Sequence, residues 1–416
     1  MRLRPVLLGA ALVTACGPGP RFASPRTLTA TGGENPTIAV DRHGTTVYVV
    51  WAQARPDSGH DVMLARLDVG GGTTPPVRVN DRPGEVTTAQ ENPPQVRVGP
   101  DGTVFVAWVS DRSPQGARHS DAGIRLAMSR DSGRTFSASR TVDPLSPGGP
   151  RSRTDLYYDL AAAADGALYV SWLDLHYYAD SVAAREARHA PDPEAAPENR
   201  VDVRVARSRD GGRSFVAAPA LDTSACICCR TAIAAGGATD HRVHVVWRHV
   251  FAGSVRDFVA SRSDDAATSF APPARVHEDH WVLNGCPDIG PDVAVDDRGQ
   301  VHVAWYTGAE GRLGLWYAVS RDGGGRFDAP IPLLTDRYVP SSHVKLAVVA
   351  GEPWAVWEDL RRKPTRLVLG RPGGSTQRLG VGSYPAIAAG DRTLAVAWQD
   401  AGAIRVRLAS VRSNPR

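Results

Sequence analysis

Seven stretches of this chain share one pattern. Each has an alternating apolar segment, a turn built on Gly or Asp, and a second apolar segment closing on tryptophan. They run over residues 36–51, 94–108, 158–172, 232–247, 291–305, 344–357 and 385–398, and end on Trp51, Trp108, Trp172, Trp247, Trp305, Trp357 and Trp398. Alternation with period two belongs to half-buried strands. The intervals between these tryptophans are 57, 64, 75, 58, 52 and 41 residues, each enough for four short strands with loops, the size of one propeller blade. The repeat therefore predicts an all-β chain, a β-propeller of seven four-stranded blades, with six blades and an accessory hairpin as the alternative. The seventh repeat runs out of chain after a strand at 404–409, and residues 22–30 are placed to supply its missing outer strand. A ring closed by this N-terminal strand would leave no sheet edge open to aggregation.

A second signal lies between the repeats. Ser129-Arg-Asp-Ser-Gly-Arg-Thr-Phe136, Ser208-Arg-Asp-Gly-Gly-Arg-Ser-Phe215 and Ser320-Arg-Asp-Gly-Gly-Gly-Arg-Phe327 follow the third strand of their repeats. Ser263-Asp-Asp-Ala-Ala-Thr-Ser-Phe270 is a looser copy with Ala267 in place of glycine. In such a turn the carboxylates of Asp131, Asp210, Asp265 and Asp322 can accept hydrogen bonds from turn amides, while glycine takes up positive φ. These turns resemble the Asp-box, or BNR, repeat of the sialidase superfamily of β-propellers. The resemblance covers nearly all of residues 22–416 and implies one propeller domain. It carries fold and no chemistry, because Asp-boxes are structural turns.

The first residues form an export signal. Met1-Arg-Leu-Arg4 is basic, residues 5–14 are apolar but too few to span a bilayer, and Val13-Thr-Ala-Cys16 resembles the lipobox of bacterial lipoproteins. That resemblance implies cleavage before Cys16, lipidation of its sulfur, and a membrane contact through the acyl anchor alone. Residues 1–16 are then signal and lipidated cysteine, 17–21 a linker, and the protein faces an oxidising envelope or periplasmic compartment where its other cysteines are able to pair. The net charge is +4, and the only lysines are Lys345 and Lys363. No basic cluster of the kind nucleic-acid readers carry is present, so the partners expected are a glycan, another small-molecule ligand or an envelope protein, with the chain a monomer.

In a four-stranded blade, loops entering the first strand and loops leaving the second share one face, opposite the Asp-box turns. Binding residues on rigid scaffolds concentrate in such loops. That face is expected to gather Glu91, Asp174, His280, His343 and Glu358 as ligand-binding candidates. The longest insertion, 176–200, is expected to lean over it, with a short helix at 179–190. His244 and His302 fall at a position filled elsewhere by Tyr48, Phe105 and Tyr169, so they are expected to pack between sheets.

Cys226, Cys228 and Cys229 precede the fourth repeat and Cys286 precedes the fifth, so the sulfurs are expected to meet. Three chemistries stay open for them: disulfides, a metal site and a redox role. Disulfides suit an exported chain but would include a tight ring within the triplet. A soft-metal site for copper or zinc suits four thiolates, with His280, His249 or His343 as substitutes. Cys-x-Cys-Cys-Arg-Thr with a later Gly285-Cys-Pro-Asp is similar to a group of exported Asp-box proteins labelled exo-α-sialidase. That likeness implies a glycoside hydrolase of acidic sugars. Arg230, Arg248 and Arg256 would clamp a carboxylate, and Tyr158 (or Tyr157) with Asp159 would supply the nucleophile. The Arg-Ile-Pro element of such enzymes has no counterpart here.

Overall fold

A computed structural model of the protein describes residues 19–113, 121–143, 153–177, 200–236 and 241–411. The expected export signal with Cys16, and residues 178–199 with the expected helix, lie outside the described residues. The fold is all-β. Its unit is clearest in the fourth repeat, where Ala232–Ala235, Val243–Phe251, Val255–Ser263 and Ala274–Arg275 pair antiparallel in chain order. Among the described residues seven such groups follow one another, the first three joined edge to edge. Their first strands are Gly33–Val40, Gln95–Val98, Arg153–Ala162, Ala232–Ala235, Asp292–Val295, Val344–Val349 and Ser383–Ala389. Each of these strands lies beside the next, and the last lies beside the first.

The N-terminal segment completes the seventh group. Arg21–Phe22 and Arg26–Thr29 both pair antiparallel with Ala403–Ser410. Side chains then join the two ends of the chain: Ile38, Val49 and Trp51 share one core with Ala395, Ile404 and Val406. Every repeat tryptophan is buried, from 0% exposed at Trp51 to 3% at Trp398. Each indole removes on the order of 200 Å² from water, about 5 kcal/mol at 25 cal/mol per Å². Several also find a polar partner: Trp172, Trp247 and Trp305 donate to Asp155, Asp222 and Asp279.

The four Asp-box turns have one geometry. Asp131, Asp210, Asp265 and Asp322 each accept a hydroxyl two residues upstream at 2.7–2.8 Å and two backbone amides downstream at 2.9–3.1 Å. These bonds hold all four carboxylates below their ordinary range. Gly212 shows why glycine is favoured: its φ is +80°, and a Cβ would sit 2.6 Å from Leu126 Cδ2. Ala267 tolerates the same turn at φ +61°, where its methyl is buried in the core around Trp247. His244 and His302 are buried, His302 stacked on Tyr317 and bonded to its hydroxyl at 2.6 Å. Burial lowers the His302 pKa, against the opposing pull of Asp296.

Candidate functional site

The first strands of all seven groups line a cavity of about 400 Å³. Its charged walls are Arg97, Asp159, Arg230, Asp292 and Lys345. Arg97 bonds Asp159 at 2.9 Å, Arg230 lies 3.9 and 4.0 Å from Asp159 and Asp292, and Lys345 reaches Asp292 at 3.4 Å. At its end sits Glu91, which leaves the second repeat to meet the fourth, fifth and sixth. One oxygen accepts the amides of Arg230 at 2.9 Å and Gly290 at 2.6 Å, and the other lies 3.4 Å from His343 Nε2. His343 Nδ1 bonds Glu358 at 3.0 Å, and Glu358 accepts the amide of Tyr384 at 2.5 Å. Gly290 is required by this close approach, since a Cβ there would meet Arg230 O at 2.5 Å and Glu91 Oε2 at 2.7 Å.

Four bases (Arg97, Arg230, Lys345 and His343) thus face four acids (Asp159, Asp292, Glu91 and Glu358). The set is formally neutral, with His343 Nε2 left without a hydrogen bond, and forms an ionic plug at this end of the cavity. Burial would raise Glu91, but His343, Arg230 and Lys345 bring it down to about 2. Burial works against charge on His343 as well, but Glu358 and Glu91 raise it to about 9. The depressed Glu91 stabilises the fold in full above its unfolded value of about 4.3, and this is lost as pH falls towards 2. The raised His343 stabilises it in full below about 6.5, and this is lost as pH rises through 9. Urea unfolding across pH is therefore expected to show greatest stability between about 4.3 and 6.5, with an alkaline decline that His343→Gln removes. An unchanged alkaline limb in that variant would refute the assignment.

The cysteine loop lies on the same end. Ala225 bridges to His249, and the Cys226 amide donates to the Arg248 carbonyl at 2.8 Å. This pins the loop along the second strand of its own group. Cys226, Cys228 and Cys229 are 1–3% exposed and packed against Tyr157 and Val250. Cys226 Sγ lies 3.8 Å from Cys228 Sγ and 3.6 Å from Cys229 Sγ. All four of these cysteines are free thiols, with Cys286 exposed. The sulfurs form two groups, Cys226–Cys228–Cys229 and Cys228–Cys286–Asp288, each with its ligand atoms within 4.8 Å of one another. Cys228 belongs to both.

Arg256 Nη1 donates to Cys226 Sγ at 3.1 Å. Hydrogen bonds from the Cys228 and Cys229 thiols, with Arg248 and Arg256 nearby, hold Cys226 well below an ordinary thiol. The Cys226 sulfur raises Cys228, and burial followed by Cys226 raises Cys229. In a tetrahedral thiolate site with metal–sulfur bonds of about 2.3 Å the sulfurs stand about 3.8 Å apart. The observed spacings match that edge, so the residues present fit a soft metal ion. His249 bonds Asp222 at 2.6 Å, His343 sits between two glutamates, and His280 is exposed 3.8 Å from Glu278. None of these histidines belongs to either sulfur group.

The remaining candidates are placed as follows. Arg230 is buried in the plug and donates to Pro291 O at 3.3 Å. The buried Arg248 donates to the carbonyls of Arg256, Ile289 and Tyr306 and lies over Phe258 and Trp281. The Tyr158 hydroxyl is buried at 2.9 and 2.8 Å from the carbonyls of Pro93 and Ala107, and burial raises its pKa. Asp174 is buried beside His176 at 2.5 Å and Arg204 at 3.4 Å. Arg97, Asp292 and Lys345 are functional neighbours that sequence reasoning passed over. For Asp292 and Lys345 the signal was a polar residue at one register of the first strand, shared with Thr37, Gln95 and Asp159; Arg97 lies two residues further along its strand.

Comparison with protein-family models and with curated proteins gives no match. Solved structures do match. An ulvan lyase bound to its saccharide is similar over 94% of this chain and 96% of its own, with TM-score 0.56 and 13% identity. A Hadza microbial sialidase matches over 88% and 76%, with TM-score 0.52 and 14% identity. The Fusarium graminearum α-L-arabinofuranosidase matches over 80% and 97%, with TM-score 0.52 and 11% identity. The likeness is one of fold. The neighbours are propeller-type carbohydrate-active proteins; for this all-β chain they show the fold alone, and at such identities no residue role travels with it.

Proposed function

We propose that this protein is an exported, lipid-anchored β-propeller of seven blades that holds a thiophilic metal ion, Cu(I) or Zn²⁺, at one end of its ring. The seven strand groups, the cyclic order of their first strands and the core shared by the first and last groups support the seven-bladed reading. The lipobox-like Val13-Thr-Ala-Cys16 supports the anchor. The observation that carries the function is the convergence of Cys226, Cys228 and Cys229 in a buried pocket at metal-site spacing. Such thiolates select soft ions. The bound ion would neutralise thiolate charge in a site too dry to leave that charge unpaired, and binding would release the thiol protons. Arg256 would orient Cys226 from behind, as outer partners of metal ligands do.

The neighbours' activities point instead to a glycan ligand. The sialidase form of that reading needs three free guanidiniums converging on a carboxylate. Arg230, Arg248 and Arg256 are each buried, and their guanidiniums already donate to carbonyls or to sulfur. The metal reading is tested on reduced full-length protein titrated with Cu(I) and, separately, Zn²⁺. About one ion per chain is expected, with protons released on binding. Protein from its native compartment that carries less than about half an ion per chain, and has no affinity for Cu(I) after reduction, would sink it. So would a native protein whose four thiols are all blocked as disulfides, which is the signature of a structural brace.

A further inference from the structure

Buried thiols alone would make a storage site that a partner could not reach. Cys226, Cys228 and Cys229 are 1–3% exposed, so a carrier bringing the ion on its own ligands has no direct approach to them. Cys286 is different: it is exposed, and so is Asp288 two residues on. Asp288 has φ +48°, a left-handed turn that returns the chain after the sulfur. Their ligand atoms lie within 4.8 Å of each other and of Cys228 Sγ. Cys228 in turn is within 4.8 Å of both Cys226 and Cys229. The molecule therefore carries an outer set and an inner set that share one sulfur.

We propose that this is a two-station transfer site, in which Cys286 and Asp288 with Cys228 receive the ion and Cys226 and Cys229 with Cys228 hold it. The proposal rests on the metal-binding reading above and goes beyond it by assigning a direction and an entry ligand. The step is ligand exchange. The metal–sulfur bond to Cys286 and the metal–oxygen bond to Asp288 break, and metal–sulfur bonds to Cys226 and Cys229 form. The bond to Cys228 persists throughout. A proton shed by an incoming thiol is taken up by the departing Cys286 thiolate or by solvent. No electrons move, and the ion keeps its oxidation state. The donor class that fits is a thiol-bound form of the ion, because Cys286 offers one exposed sulfur through which such a complex can exchange one ligand at a time.

The experiment is a pair of measurements on the reduced full-length protein loaded with Cu(I): ions bound per chain, and the rate at which bathocuproine disulfonate withdraws the ion. For Cys286→Ser the expected result is unchanged stoichiometry, with loading from a copper–glutathione complex and withdrawal both slowed about tenfold or more. Asp288→Asn, an exposed and near-isosteric change, is expected to slow both by a smaller factor at the same stoichiometry. Rates within about twofold of wild type in both variants would overturn the transfer role. Loss of binding in Cys286→Ser would overturn it as well, by making Cys286 an obligatory ligand of one four-sulfur site, while the metal reading survives. If the unaltered protein takes up no ion, the metal reading itself has failed, and the two failures are told apart by that control.

Discussion

Glu91→Ala is expected to cost about 3–5 kcal/mol of folding stability, the range for removing one partner of a buried charge set. Glu91 is 3% exposed and joins four repeats: its own, the Arg230 and Gly290 amides, and His343. Removing the carboxylate leaves two buried amides without an acceptor and upsets the balance of four bases and four acids around the axis. Each of those losses is costly in a dry site. Glu91→Gln keeps an oxygen for the amides but not the charge, so it should lose less, about 1.5–3 kcal/mol. Urea midpoints at pH 6 measure both. A double-mutant cycle with His343→Gln should show strong coupling, since the two side chains share one network. If Glu91→Ala falls within about 0.5 kcal/mol of wild type, the plug contributes nothing and the cavity is open to a ligand after all.

That plug marks the limit of what could be read from sequence. The repeats announced themselves through local physics: period-two alternation, a closing tryptophan whose burial decides the register, and Asp-box turns satisfied within six residues. The pairing of Arg21–Phe22 with the last strand followed from counting strands. The meeting of Cys228 with Cys286 was legible too, because the entry loops of consecutive repeats must be neighbours in a ring. Glu91 was legible only as an entry-loop carboxylate. Its partners are two, three and four repeats away, and nothing local encodes which of them it crosses the axis to reach. The partners of Arg230 and Arg248 were hidden for the same reason. An arginine in an entry loop looks like a clamp for a ligand; here Arg230 lies 3.9 and 4.0 Å from Asp159 and Asp292, and Arg248 Nη2 donates to the carbonyls of Ile289 and Tyr306.

The largest functional effect is expected from Cys228→Ser. Cys228 is the one sulfur common to both groups, so its loss reduces the inner set to Cys226 and Cys229 and the outer set to Cys286 and Asp288. Structural four-ligand zinc sites bind with about 10–16 kcal/mol, roughly 2.5–4 kcal/mol per ligand. At 1.4 kcal/mol per decade, losing one ligand weakens binding about 100- to 1,000-fold. Cys226→Ser and Cys229→Ser should weaken equilibrium binding comparably but leave the outer station able to capture and release ions quickly. Cys228→Ser should lose both properties. Competition against a Cu(I) chelator of known affinity gives the first, and stopped-flow withdrawal gives the second. The serine hydroxyl nearly matches the thiol in volume, so the core around Tyr157 and Val250 should hold and the unfolding midpoint should move little. A variant that keeps wild-type affinity would mean that Cys228 is no ligand, and with it both stations would fall.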